Sequence, residues 1–351
     1  MIKVGIFGAS GYMGGEALRV LLEHPQVEIA WATSRNDKPI EYYHRNLYES
    51  GLKLIKPDEV TPCDAVFIAL PTGKAMEMSK SLLEQNIKVI DLGADFRLKT
   101  QVDWERIYGK KHLSWDLVES SVYGIPELHR DKIKKAQVIA NPGCYSSASI
   151  FGLAPLIKNS IIDTEKIIID GLSGTAGAGA ELDTPIHHPE IGNNLVPYNV
   201  VDHRHTYEIE QELGYLAKSK VTIHFTTTYV PITRGILAIC HCFPIQKVSR
   251  KDLVELYQDF YRNEYFIKII HIPKDLNATW QYLPYPWVSA VSGTNFCHIG
   301  FDYDEKRNRI VVFSVLDSIG KGGAHAAVQN LNLMFGLKED LGLKRYGLHP
   351  Y

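Results

Sequence analysis

Residues 2–24 read IKVGIFGASGYMGGEALRVLLEH. Ile2–Phe7 is a short apolar strand and Gly8–Gly15 a glycine-rich turn. Glu16–His24 has helical spacing, with apolar residues at 17, 18, 20, 21 and 22, and Pro25 stops it. Gly8 and Gly11 let the backbone turn tightly and approach a pyrophosphate, and Gly14 lets the helix pack closely on the strand. The helix N-terminus then offers free N–H groups to phosphate. The alternative is a glycine turn with no ligand. The spacing is GxxGxxG, not the GxGxxG of the commonest NAD fingerprint. At the end of the next strand, Val27–Thr33, NAD enzymes often carry an acid for the ribose 2′-hydroxyl. Here Ser34-Arg35 stands there. Arg35 can pair a 2′-phosphate and Ser34 can donate to it, which favours NADP. Otherwise Arg35 is a solvated surface cation.

Outward from this turn the pattern repeats. Strands at Ala65–Leu70, Lys88–Leu92 and Val138–Ala140, with a helical stretch at Ala75–Gln85, predict right-handed βαβ units and a parallel sheet. After about residue 150 the texture changes. A helix over Ser149–Lys158 is followed by β-prone runs at Lys166–Leu172, Val221–Val230, Gly235–Phe243, Ile267–His271, Cys297–Tyr303 and Arg309–Val315. Short connections between several of them predict a mixed or antiparallel sheet, with a helix over Asp252–Asn263. A last helix, Gly322–Phe335, is expected to dock back on the first domain.

The chain has 351 residues, which suggests two domains, and 45% are hydrophobic against 22% charged. Lys plus Arg number 38 and Asp plus Glu 40, a net charge of −2, which excludes a general nucleic-acid binder and an acidic disordered tail. No apolar run approaches a membrane span. Five cysteines, an odd number without repeated spacing, argue against a disulfide framework and for the reducing cytoplasm. Cys240-His241-Cys242 has no zinc spacing, and no metal is expected.

Two clusters can carry chemistry. Asn141-Pro-Gly-Cys144 lies between a strand and a helix, where the positive end of the helix dipole favours a thiolate and makes Cys144 a nucleophile. A buried, inert Cys is the alternative. Asp202-His203-Arg204-His205-Thr206-Tyr207-Glu208 packs two imidazoles, a cation and an acid into seven residues, with Thr206 as the expected N-cap of a following helix. An imidazole there can take the thiol proton, and Arg204 can anchor an anionic substrate. Structural histidines are the alternative, as they are for His187-His188 in its Pro- and Gly-bounded loop.

With these clusters in view, the chain resembles the N-acetyl-γ-glutamyl-phosphate reductases of arginine synthesis, relatives of aspartate-semialdehyde dehydrogenase. The matching segments are GASGYMGGEALRVLLEHP, TSR, VIDLGADFRL, YGIPELHR, ANPGCYSSA, SGTAGAGA, HRHTYEIEQEL, RGILA, GTNFCHIGF and AVQNLNLMFGL, from residue 5 to about 337. The resemblance implies an α/β fold like that of aspartate-semialdehyde dehydrogenase. A Rossmann NADP-binding domain would span 1–145 with 321–351, and an α+β catalytic and oligomerisation domain 146–320, giving a homodimer or homotetramer. It implies that Cys144 attacks a small-molecule acyl phosphate to form a thioester, which NADPH reduces to a semialdehyde. By position His203 matches the usual acid/base, with His205 and Glu208 beside it. Arg97, Asn141, Arg204 and Arg234 are the implied substrate contacts. Gly8, Ser10, Gly11, Tyr12, Gly14, Ser34, Arg35, Ser173, Gly174, Lys321 and Gly322 are the implied contacts of NADP(H).

The sequence departs from the family at Thr72, where ALPHG is usual, and at His44-Arg-Asn-Leu-Tyr-Glu, where HPNLRG is usual. A sister branch acts on aminoadipyl or glutamyl phosphate attached to a small acidic carrier protein, and Gly347-Leu-His-Pro resembles some of that branch. Three rivals remain: a Cys–His hydrolase, a non-catalytic dinucleotide sensor, and aspartate-semialdehyde dehydrogenase itself. The first leaves the glycine loop idle, the second leaves Cys144 idle, and HRHTYEIEQ argues against the third.

Overall fold

The computed structural model describes residues 1–36, 38–271 and 285–348. The chain divides into two compact units, Met1–Pro142 with Gly323–Lys344, and Gly143–Gly322 with Arg345–Tyr351. The residues after Lys344 thus group with the second unit, where the Tyr346 ring stacks on Phe296 at 5.8 Å. His349 and Pro350 lie outside the described residues.

The first unit is built on a parallel sheet of seven strands among the described residues. They are β1 (Ile2–Phe7), β2 (Val27–Thr33), β3 (Leu54–Ile55), β4 (Ala65–Ile68), β5 (Lys88–Asp91), β6 (Val122–Tyr123) and β7 (Val138–Ala140). Their order is β3-β2-β1-β4-β5-β7-β6. The chain moves outward from β1 in one direction and then, from β4, in the other. The carboxyl end of β1 is therefore the switch point of the sheet, the place where open α/β sheets bind ligands. Val4, Ile6 and all of β4 are buried, as strands covered on both faces must be.

The helix after β1 runs Tyr12–Leu21, not from Glu16 as its apolar spacing predicts. Gly14 and Gly15 lie inside its first turn because packing overrides their weak helix propensity. A Cβ on Gly14 would stand 2.3 Å from the Gly8 carbonyl, and one on Gly15 2.2 Å from the His44 ring.

The last helix, His325–Met334, is buried along its whole length and packs on Tyr12–Leu21 and on Pro126–Ile133. A helix buried all round is held by partners rather than by an amphipathic stripe, and here the partners include polar ones. His325 Nε2 meets Glu16 Oε1 at 2.7 Å, and Arg19 donates to the same oxygen at 2.8 Å. His24 Nε2 meets Asn332 Oδ1 at 3.0 Å.

The second unit carries a mixed sheet, also of seven strands among the described residues. These are β8 (Ile167–Ser173), β9 (Val196–Tyr198), β10 (Ile223–Tyr229), β11 (Ile236–Cys242), β12 (Ile267–Ile269), β13 (Cys297–Asp304) and β14 (Arg309–Leu316). The order is β12-β13-β14-β11-β8-β10-β9, with parallel pairs at β12–β13 and β8–β10 and antiparallel pairs elsewhere. One face of this sheet holds the helix Cys144–Lys158, buried from Tyr145 to Ile157. It begins at Cys144, five residues before the predicted start. Ser146, Ser147 and Ser149, poor helix formers in isolation, are inside the core. The helix Arg250–Phe260 starts with a capping box between Ser249 and Asp252.

Replacing His325 by Ala should remove the partner of a buried carboxylate. Arg19 still compensates Glu16 in part, so the expected loss is about 2 kcal/mol, below the roughly 3–5 kcal/mol of a fully broken buried pair. Urea unfolding at pH 7 measures it, and an unchanged midpoint would show that the His325–Glu16 contact contributes nothing.

Candidate active site

Cys144 is the first residue of its helix, with Gly143 as an extended N-cap that carries no side chain. Two things follow. The first N–H groups of the helix face outward with no cap to occupy them, and they favour negative charge at the Cys144 sulfur. Gly143 also leaves room that another residue uses. A Cβ on Gly143 would stand 2.4 Å from His205 Nε2, so the imidazole lies directly against the residue before the cysteine. Gly143 N donates to Glu208 Oε2 at 3.1 Å, and Glu208 Oε1 stands 3.9 Å from His205 Nε2. Glu208 is fully buried. A Cβ on Gly322 would stand 2.7 Å from the Cys144 Cβ. Cys144 itself is half-buried.

The histidine-bearing helix runs His205–Ala217 and begins one residue before the predicted cap. Arg204 holds the N-cap position and is exposed. Thr206 is inside the helix and donates its N–H to the His203 carbonyl at 2.9 Å. The two imidazoles differ in their surroundings, and His203, expected as the acid/base, lies in an aromatic box. Its Nδ1 accepts the His205 N–H at 3.1 Å, and its ring is enclosed edge-on by Tyr145 at 5.7 Å, Tyr198 at 5.9 Å and Phe225 at 5.3 Å. Burial, with Arg204 adding to it, pushes the His203 imidazole down to about 4.

The tyrosines of this box escaped the sequence reading. Tyr198 donates to the Tyr145 hydroxyl at 3.1 Å and stacks on Tyr229 at 3.8 Å, and Tyr145 donates to the Gly171 carbonyl at 3.3 Å. Tyr145 stood next to Cys144 in the sequence, which was the available signal. Tyr198 and Tyr229 reach the box only through the pairing of β9 with β10.

In the first unit the glycine loop has the shape a dinucleotide needs. Gly8 takes φ +80°, and a Cβ there would stand 2.3 Å from the Ala69 carbonyl. Gly11 is an N-cap without a side chain, so the N–H groups at Tyr12 and beyond are offered outward. Ser10 is half-buried and Tyr12 exposed. Ser34 is buried at the end of β2, with its hydroxyl accepting from Asn36 N at 3.3 Å and reaching Tyr43 at 3.5 Å. Arg35 beside it is exposed. Ser34 and Arg35 place a hydroxyl and a cation at this strand end, so these residues fit NADP(H). His44, at one of the departures from the family, braces the loop by meeting the Ala9 carbonyl at 2.8 Å through Nε2.

The other expected contacts make these interactions within their own units. Arg97 is buried and gives Nε to the Asn141 carbonyl at 2.8 Å and Nη2 to the Leu92 carbonyl at 3.2 Å. Asn141 donates to the Gly323 carbonyl at 3.1 Å and accepts from Asn330 at 3.3 Å. Both side chains join strand ends in the first unit. Lys321 is buried in the second unit with its ammonium over Phe151 at 5.3 Å and Phe266 at 5.5 Å. Ser173 donates to the Gly174 carbonyl at 2.8 Å, and a Cβ on Gly174 would stand 2.7 Å from the Thr233 carbonyl. Arg234 pairs Asp317 at 2.8 Å.

The family described as semialdehyde dehydrogenase, NAD binding domain, matches residues 3–136, and that described as semialdehyde dehydrogenase, dimerisation domain, matches 144–318. N-acetyl-gamma-glutamyl-phosphate reductases from Desulforamulus reducens and Methanopyrus kandleri are 41% and 43% identical, each covering 100% of both chains. A putative LysW-L-2-aminoadipate/LysW-L-glutamate phosphate reductase from Nitrosopumilus maritimus is 42% identical over 99% of this chain and 100% of its own. Among solved structures, aspartate semialdehyde dehydrogenase II from Vibrio cholerae, complexed with ASA, shares the fold at a TM-score of 0.71. It is 18% identical and covers 96% of this chain and 98% of its own. The Candida albicans enzyme with NADP shares it at 0.67, 15% identical, with 95% and 98% covered.

A buried neutral imidazole makes stability depend on pH. The unfolded chain binds a proton at His203 below about 6.5, and the native chain only near 4. The unfolded state therefore binds more protons between these values, and stability is full above 6.5 and is lost as pH falls toward 4. His203→Asn should lose about 2–3 kcal/mol less than the parent between pH 7 and pH 4.5 in urea unfolding. Equal losses in both proteins would mean that His203 accepts its proton without cost.

Proposed function

The chain belongs to the N-acetyl-γ-glutamyl-phosphate reductase family of semialdehyde dehydrogenases, and on that premise we propose that it reduces N-acetyl-γ-glutamyl phosphate to the 5-semialdehyde with NADPH, releasing phosphate. The observation that supports this most is the placing of His205 and Glu208 against Gly143, at the start of the Cys144 helix. The Cys144 thiol gives its proton to His205, and the thiolate attacks the acyl carbonyl carbon. The bond from that carbon to the phosphate oxygen breaks. Phosphate leaves with the electron pair and takes its proton from solvent, and a thioester stays on Cys144. The glycine loop, Ser34 and Arg35 would hold NADPH, which would supply the hydride that reduces the thioester carbonyl. The resulting hemithioacetal oxyanion collapses, the carbon–sulfur bond breaks, and the Cys144 thiolate takes back its proton from His205. Glu208 holds the imidazole and the Gly143 N–H together and offsets the positive charge on His205 while the proton rests there.

The acid/base assignment thus moves from His203 to His205. His203 keeps a supporting place, its Nδ1 receiving the first N–H of the helix. Arg204, exposed at that helix start, is the proposed anchor for an anionic part of the substrate. A carrier-linked aminoadipyl or glutamyl phosphate is the second reading, supported by the Nitrosopumilus relative at 42% identity. Phosphate-dependent reduction of NADP, run with N-acetylglutamate semialdehyde and with carrier-linked analogues, separates the two. The small acidic carrier would then be a partner. Five free cysteines suit the reducing cytoplasm, and among the described residues no helix is long and apolar enough to cross a membrane.

The second sheet also has a face for a second copy of the chain. Cys240, Val312 and Ser314 point at Gly152 of the Cys144 helix, so their neighbours Ile239, Val311 and Phe313 point away from it. Ile239 lies opposite Phe313, and Leu237 opposite both Val315 and Leu172. Leu172, Leu237, Ile239, Val311 and Phe313 are all half-buried. Such a largely apolar face, which also carries the Asp170–His241 pair at 3.5 Å, on a domain of the dimerisation family supports a homodimer, or a homotetramer built from it.

Two expectations test this subsection. At saturating NADPH, Cys144→Ser should retain less than a tenth of turnover, and His205→Asn should lower kcat at least about a hundredfold. His203→Asn should lower it less, and the reverse ranking would return the acid/base role to His203. Ile239→Asp should convert the dimer to monomer in size-exclusion chromatography with light scattering. A dimer that persists would place the interface elsewhere.

A further inference from the structure

Asp317 is completely buried and accepts more donors than any turn requires. Oδ2 takes Arg234 Nε at 2.8 Å and the Gly293 N–H at 2.5 Å. Oδ1 takes the N–H groups of Ile319 at 3.0 Å and Gly320 at 2.9 Å. The Asp317 carbonyl accepts the Gly322 N–H at 2.9 Å, and Gly322 is the residue seated on Cys144. The next side chain, Ser318, accepts the Gly235 N–H at 3.2 Å, and Gly235 accepts from Gly174 at 2.9 Å. One carboxylate therefore ties together the Arg234 loop, the Gly293 turn and the chain from 317 to 322. The clearances are small. A Cβ on Gly320 would stand 2.7 Å from the Thr294 carbonyl and 2.9 Å from the Asp317 Cβ.

We propose that Asp317 is a positioning residue for the Cys144 reaction, that Arg234 serves it as a counter-ion, and that the pair sets the backbone which lies against Cys144 at Gly322. The proposal rests on Cys144 being the nucleophile. A carboxylate suits the place because it is acceptor-only on both oxygens. An amide turns N–H groups toward two of the four donors, so Asp317→Asn keeps the shape and reverses half of the hydrogen bonding. The backbone from Ile319 to Gly322 then shifts against Cys144. Arg234, read from sequence as a substrate contact, acts in this arrangement through Asp317.

The test uses the full-length enzyme with Asp317→Asn, Arg234→Gln, Arg234→Lys and Cys144→Ser, all assayed well below their melting temperatures. Asp317→Asn is expected to lower kcat at least about thirtyfold with the acyl-phosphate KM within about threefold. It should also change the rate and pH profile of iodoacetamide labelling at Cys144, measured without substrates, which general loosening of the fold would not do at a temperature where the variant is fully folded. Arg234→Gln should lower kcat in the same way and leave KM in place, with part of the loss recovered in Arg234→Lys. A kcat for Asp317→Asn within threefold of the parent, together with unchanged labelling, overturns the proposal. If Asp317→Asn does not fold, Arg234→Gln decides. A selective rise in KM with kcat intact makes Arg234 a substrate contact and the proposal wrong. An active Cys144→Ser would instead overturn the thioester reading, a failure distinct from that of Asp317.

Discussion

The contact on which the second unit turns is the one between Glu208 and the Gly143 N–H. A fully buried carboxylate is costly unless its oxygens are met. Here one oxygen takes the last N–H before the Cys144 helix and the other faces His205. The contact reaches 65 residues along the chain, so it can form only when the helices Cys144–Lys158 and His205–Ala217 are packed side by side. Removing Glu208 would leave the Gly143 N–H without its acceptor and the imidazole without its acid. The packing of these two helices and the placing of His205 beside Gly143 thus involve the same two oxygens.

Around that contact the chain uses absence as much as presence. Gly143 has no Cβ, so His205 can lie on it; Gly322 has none, so the 317–322 backbone can lie on Cys144. The aromatic box around His203 supplies the opposite, a dense wall that favours the neutral imidazole while its neighbour lies against Gly143. The two histidines, two residues apart, differ in surroundings because one is enclosed by rings and the other packs on a backbone.

Much of this was legible in local sequence. The glycine loop and Cys144 could be read because a turn between strand and helix is a local pattern, and the sheet strands because their apolar runs were long. The strands β3, β6 and β9, of two or three residues, are too short for any periodicity to show. The different surroundings of His203 and His205 come from Gly143, Tyr145 and Phe225, which arrive from elsewhere in the fold. Arg97, Asn141, Arg234 and Lys321 read as ligand contacts, and their contacts to carbonyls, a carboxylate and aromatic faces inside the protein come from distant parts of the chain that no local pattern shows.

The first unit is closed by the helix His325–Met334, which is encoded after the whole of the body of the second. On a ribosome adding about 5–20 residues per second, the sheet from β1 to β7 is complete some ten to forty seconds before that helix emerges. Through this interval the Glu16 carboxylate lacks its histidine, and the apolar side of the helix Tyr12–Leu21 lacks its cover. The stretch Gly143–Gly322, unbroken in sequence, can collapse in the meantime. The half of the chain that is made first is therefore the half that finishes last, and it is the half that a nascent-chain chaperone would have to guard.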